Sequence, residues 1–283
     1  MMGTETNKEL FQRIDLLTPE VEASKENDLV IVVRADDDAK AEEAIGKVDE
    51  LLSAKKASTK QTEARPRDLV TANELLPESS WTLVSVAGRF AARVANEAMD
   101  LGKHVFLFSH NVPVEQELQL KNRAAQEGLL VMGPDCGTAI INGVGLGFAN
   151  AVRKGPIGMV AAAGTGLQQV SARIHQLGGG LTFGIGTGGR DLKDAVGGKT
   201  FLMGLDVLVR DPETKVIVLV SKPPAPAVAD KVIRQAKKAG KPVVICFIGR
   251  TPITRHEGNL VYAYGMDDAA ALAVDLAKNA DNV

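Results

Sequence analysis

Eight short runs of continuous apolar, mostly β-branched residues constrain this chain more than any other feature. They fall at residues 29–33, 82–86, 104–108, 129–132, 157–161, 181–185, 216–220 and 243–248. Most do not alternate apolar with polar, which is how strands covered on both faces read. Stretches of helical period separate them, at 41–52, 90–100, 114–127, 167–177, 201–209, 227–239 and 267–278. Strand and helix in turn predict the α/β class, with parallel sheets and helices on both faces.

Two segments break the rhythm. Residues 53–67 (SAKKASTKQTEARPR) are polar, basic and almost free of large apolar side chains. They predict an exposed loop. Residues 142–156 are glycine-rich and predict a domain boundary near Arg153, dividing the chain into 1–153 and 154–283. The opening Met1-Met2-Gly3-Thr4 runs straight into a helix-like stretch, without the strand that normally precedes such a glycine turn.

Composition limits what the chain binds. Its net charge is −2 and its aromatic content 4%, so it offers neither a basic face nor stacking rings for nucleic acid. Its apolar runs are strand-sized, which argues against a membrane span. Cys136 and Cys246 lie far apart and outside any metal-ligand spacing, so neither a disulfide framework nor a bound metal is expected. The expected location is the cytoplasm.

In open parallel sheets ligands collect beyond the carboxyl ends of the strands. After 157–161 comes Gly164-Thr165-Gly166 at a helix start, where free N–H groups and the helix dipole favour an anion. After 181–185 come Gly188, Gly189 and Arg190, a second candidate cradle with a guanidinium suited to phosphate or carboxylate. Arg190 and Asp191 serve equally as caps for the next helix. After 216–220 comes Lys222, a point charge for a phosphate oxygen. In the first half, Gly133-Pro134-Asp135-Cys136 and Asn111 follow strand ends and could close over a ligand. His104 and His175 read as structural. No Ser-His-Asp set, paired-carboxylate site or zinc pattern is present.

Taken together, GPDCG at 133–137, GMVAAAGTG at 158–166, GIGTGGR at 184–190 and KPVV at 241–244 resemble the α subunit of succinyl-CoA synthetase, in order and spacing. The chain resembles more closely the FdrA family, described as acyl-CoA synthetase-like, through VMGPDCGTAIINGV, GTGGRDL, VGG, VSKPP and the opening MMGT. The resemblance implies a Rossmann-like CoA- or nucleotide-binding domain over 1–153, its first strand clipped, and a flavodoxin-like ligase domain over 154–283. It also implies that the chain is the N-terminal half of a longer protein. CoA or a nucleotide is the implied cofactor, with phosphate or an acyl phosphate as ligand and a second copy or partner subunit. Gly3 and Thr4 correspond to what remains of the CoA glycine loop.

In the synthetases a histidine is transiently phosphorylated and paired with a glutamate. His256, in Arg255-His256-Glu257-Gly258, falls at the matching place, and Ser221-Lys222-Pro223 stands where the glutamate would be. That departure removes the anion that orients the imidazole and makes the turn a better anion receptor. The resemblance leaves three activities: an NDP-forming acyl-CoA ligase, a carbamoyltransferase subunit acting on oxamate-type compounds and phosphate in purine-derived nitrogen catabolism, and a non-catalytic CoA- or nucleotide-binding subunit.

Overall fold

The structure is a computed structural model that describes residues 1–53, 66–250 and 254–280. Most of the expected basic loop at 53–67 lies outside the described residues. The chain divides into two compact units, residues 1–64 and 65–283.

Among the described residues, the first unit holds four helices: α1 (Glu5–Arg13), α2 (Pro19–Ala23), α3 (Asp38–Gly46) and α4 (Val48–Ser53). Thr4, Thr18 and Asp37 cap the first three by accepting the N–H groups of Asn7, Val21 and Lys40. Phe11, Val21 and Val30 form its small core. The strand expected at 29–33 is reduced to one antiparallel bridge, Met2 to Leu29. The pairing holds through Gly3 N–H to Asp28 and Val30 N–H to Met1, and Thr4 then turns the facing segment into α1.

The second unit begins with α5 (Leu69–Leu75), β1 (Trp81–Val84), α6 (Gly88–Asp100), β2 (His104–Leu107), α7 (Val114–Glu127) and β3 (Val131–Met132). The three strands form a parallel sheet in the order β1-β2-β3. There follow β4 (Thr138–Ile141), β5 (Val144–Gly147), β6 (Ile157–Ala162), α8 (Gly164–Gln176), β7 (Leu181–Gly186), α9 (Lys199–Arg210), β8 (Val216–Ser221), α10 (Pro226–Ala236), β9 (Val243–Phe247), β10 (His256–Glu257), β11 (Leu260–Tyr262) and α11 (Met266–Ala280). These strands form one sheet in the order β10-β11-β9-β8-β6-β7-β4-β5.

Its central strands bury both faces, as their unbroken apolar runs predict. Val216, Val218 and Val220 pack against α8 and α11, and Ile217 and Leu219 against α9 and α10. Among the described residues, no helix is long and apolar enough to cross a membrane.

The two sheets part between Met132 and Thr138, ahead of the expected 153/154 division. The reason is a hairpin. Asn142 (φ 49°) and Gly143 (φ 80°) take the left-handed conformations of a two-residue turn and pair Ile141 with Val144. Ile140 then pairs with Gly184 of β7, which adds β4 and β5 to the larger sheet.

Candidate functional site

The order β7-β6-β8-β9-β11 places a topological switch point between β6 and β8. The chain leaves β6 toward β7 on one side and returns to β8 on the other, so the two loops diverge and leave a crevice at the carboxyl edge. Ala162 of β6, Ser221 of β8 and Phe247 of β9 lie in register across it. Ala163 and Lys222 come next along their chains.

Beyond Ala163, α8 starts at Gly164 with no side-chain cap and no acid in its first turn. Gly166 holds this start against the end of β8, for a Cβ there would lie 3.1 Å from Val220 Cγ1. Thr165 is exposed and Lys222 is exposed. The starts of α9 and α11 are neutralised, and α10 opens on Pro226, which has no N–H. The Phe201 N–H of α9 donates to Asp191 Oδ2 at 2.7 Å. Asp267 and Asp268 occupy the first turn of α11, and Asp268 Oδ2 accepts the Tyr264 N–H at 2.9 Å. A cavity of about 310 Å³ lies alongside, lined by Phe247, Arg250, Tyr264 and Met266 among others. Met266 Sδ would sit 3.7 Å from a Cβ on Gly166, so cavity and helix start adjoin.

The second glycine turn is built differently from the expected cradle. Gly188 (φ 85°) abuts the Pro134 carbonyl, and a Cβ there would collide with it. The peptide before Pro134 is cis, with Gly133 at φ 109° and Asp135 at φ 57°. Arg190 donates through Nη2 to the Val112 carbonyl at 2.8 Å and pairs with Glu117 Oε2 at 2.9 Å. Asp191 and Glu117 both bind Lys121 Nζ, at 2.8 and 2.9 Å, and Lys121 also donates to the Thr187 carbonyl at 2.9 Å. Lys121, Glu117 and Asp191 are all buried. Arg190 and Asp191 thus fasten the turn to α7, and only Gly189 faces open space. Sequence reasoning missed Glu117 and Lys121. Their signal was an i, i+4 acid–base pair on the same stripe as Leu120 and Ala124, the face α7 buries.

Cys136 is buried and donates to the Thr138 carbonyl; burial pushes its thiol up to about 12, so it supplies no thiolate. Asn111 (φ 57°) is exposed at the carboxyl edge of the smaller sheet, beside the start of α6. That start needs Gly88, whose Cβ would strike the His110 and Asn111 carbonyls. His104 and His175 are structural: each accepts a backbone N–H at Nδ1, from Leu130 and from Arg153. Gly3 and Thr4 belong to the first unit. Gly3 packs on the Lys25 carbonyl and Thr4 caps α1, so the CoA glycine loop expected of them is not what they form.

His256 is not brought to Gly164. It lies in β10, opposite Val261, which pairs with Val244 near the start of β9. Four strand spacings separate β10 from β6, about 19 Å across the sheet at ~4.8 Å each. The imidazole is exposed near the amino-terminal end of the sheet, away from the α8 start.

Residues 1–68 match the family described as AllF, heavy metal-associated domain. They contain neither cysteine nor histidine, the donors that soft and borderline metals require. No group of three or more His, Cys, Asp or Glu able to hold a metal forms among the described residues. The residues present therefore do not fit a heavy metal.

The chain is 48% identical to the uncharacterized protein YahF of Escherichia coli K12 over 275 residues, 97% of this chain and 53% of YahF. It thus spans about half the length of that relative. It is 28% identical over 207 residues to the malate–CoA ligase subunit alpha of Methylorubrum extorquens, covering 69% of this chain and 68% of that subunit. The dinucleotide-forming acetyl-coenzyme A synthetase 1 of Candidatus Korarchaeum cryptofilum, solved with phosphate and ADP, shares the fold. Its TM-score is 0.56 at 18% identity, over 70% of this chain and 48% of that one. In sequence the chain is similar to α subunits of CoA ligases, and in fold to an acyl-CoA synthetase.

Proposed function

We propose that this chain is the α-type half of an acyl-CoA synthetase-like enzyme, holding an acyl phosphate, or the phosphate it releases, at the start of α8. One observation carries the reading. Of the helices that begin at the carboxyl edge of the larger sheet, α8 and α10 have neither cap nor acid, but α10 opens on Pro226, which has no N–H, whereas α8 presents glycine-spaced N–H groups at the switch point; α9 and α11 are closed by carboxylates. Gly164, Thr165 and Gly166 supply the donors. Lys222, one residue beyond the Ala162–Ser221 pair, adds a positive charge that the glutamate of the phosphohistidine enzymes would not. The adjoining cavity has room for the group attached to the phosphate.

CoA fits the carboxyl edge of the smaller sheet in this reading. There α6 begins at Gly88 without cap or acid, beside Asn111 and the turn Gly133 to Asp135. When bound, CoA supplies the thiol that accepts the acyl group. The malate–CoA ligase relative is named as a subunit, which supports a second chain as partner.

A second reading follows from the distance of His256. A site that receives a free acyl phosphate serves carbamoyl phosphate equally, as in a carbamoyltransferase acting on oxamate-type compounds. Calorimetric titration with inorganic phosphate, acetyl phosphate and carbamoyl phosphate, each with and without CoA, separates the readings. Coupling between CoA and acetyl phosphate supports the ligase. Carbamoyl phosphate binding that CoA leaves unchanged supports the transferase. Absence of all phosphate binding overturns both.

A further inference from the structure

We propose that the amino-terminal end of the three-stranded sheet carries a second, independent site, a pocket for a small apolar monocarboxylate with Lys103 as its anion receptor. A cavity of about 230 Å³ lies there, between α5, the start of β1 and the end of α6. Leu69, Leu76 and Leu101 give it apolar walls, and among the described residues no acidic side chain lines it. Lys103, at the start of β2, reaches into it although only 8% of the residue is exposed.

The ammonium donates to the carbonyls of Pro77 and Ser79. It has three donors, and the third has no partner among the described residues. No carboxylate pairs with it there. A buried cation without a counter-ion is costly, and a ligand carboxylate placed on the third donor would offset that cost. Asn73 Oδ1, also in the lining, is buried without a hydrogen-bond partner. A hydroxyl or N–H on the ligand would satisfy it. The leucines select an apolar body, and the volume limits it to about the size of one six-membered ring with its acid group.

The site lies at the opposite end of the β1–β3 sheet from Gly88 and Asn111, so its ligand is an effector or carried molecule and does not compete at the carboxyl edge. Trp81 lines the pocket and is the only tryptophan in the chain. Its ring rests on His104, with centroids 4.8 Å apart. Tryptophan emission, excited selectively over the two tyrosines, therefore reads this pocket.

The test is titration of the whole chain with cyclohexanecarboxylate and, as its neutral counterpart, cyclohexylmethanol. The expected result is a saturable change in Trp81 emission, with the carboxylate binding about tenfold or more tightly, the worth of one charge-assisted hydrogen bond. Lys103→Met should erase the difference between the two compounds. Ala72→Leu, which fills the cavity from α5 without touching the cation, should weaken both. No saturation by the carboxylate, equal binding of the two compounds, or wild-type binding in Ala72→Leu would each overturn the proposal. If Lys103→Met does not fold, the alcohol comparison and Ala72→Leu still decide.

Discussion

Thr165→Asp separates an anion site from a mere helix start, because the two readings predict opposite signs for one residue. Thr165 is exposed in the first turn of α8, where no acid now stands. A carboxylate there interacts favourably with the helix dipole, by about 0.3–1 kcal/mol. For a unit of roughly 200 residues that raises the melting temperature by about 1–4 °C. A phosphate on the Gly164–Gly166 donors would instead lie about 6 Å from the new carboxylate. At an effective dielectric of 20, two unit charges at that distance repel by about 2.8 kcal/mol, or roughly a hundredfold in affinity. The variant should therefore be slightly more stable and bind phosphate about a hundredfold more weakly. Differential scanning fluorimetry and calorimetric titration at low salt measure the two quantities. Unchanged phosphate affinity would refute the site. A fall in both affinity and stability would refute the electrostatic argument, because it would mean that the helix start had unravelled.

Four further outcomes follow from the geometry. Lys121→Met leaves Asp191 and part of Glu117 buried without their shared cation, and should cost about 3–5 kcal/mol in urea unfolding. His256→Ala should leave phosphate binding unchanged, and the wild type should form no acid-labile phosphoprotein with labelled ATP, since the imidazole is remote from α8. Cys136 and Cys246, whose thiols burial pushes up to about 12 and about 11, should resist alkylation in the native chain at pH 8 and react only on unfolding. Burial also lowers the pKa of His104, so the unfolded chain takes up its proton first; stability should be complete above pH 6.5 and decline as pH falls below it, a slope that His104→Gln removes in pH-dependent melting.

The parallel strands of the larger sheet were legible because burial on both faces leaves no freedom in the pattern. The runs at 157–161, 216–220 and 243–248 became β6, β8 and β9 within a residue, and the period at 114–127 became α7. Gly164-Thr165-Gly166 was legible as an uncapped helix start for a related reason, since a strand followed directly by glycines and a helix leaves backbone donors without a side-chain partner.

What failed had a different physical character. The Asn142-Gly143 turn carried a plain hairpin signal, but its strands have one partly exposed face and sit in a glycine-rich stretch that also reads as a linker. Arg190 could not be placed from its own neighbourhood. Its partners, Val112 and Glu117, are more than seventy residues away along the chain, and only the packing of α7 on the turn brings them to it. The same packing changes how the two glycine turns relate. One, after β6, keeps its donors unoccupied at the switch point, while the other, after β7, is bound into the fold by four charged residues. Two turns that looked alike as sequence thus divide into an open helix start and a turn bound into the fold. In the proposed reading a ligand at α8 draws on Lys222 rather than on Arg190, which Val112 and Glu117 already hold. Replacing Lys222 by Met should weaken phosphate binding more than replacing Arg190 by Met, once the structural cost of the latter has been measured separately by unfolding.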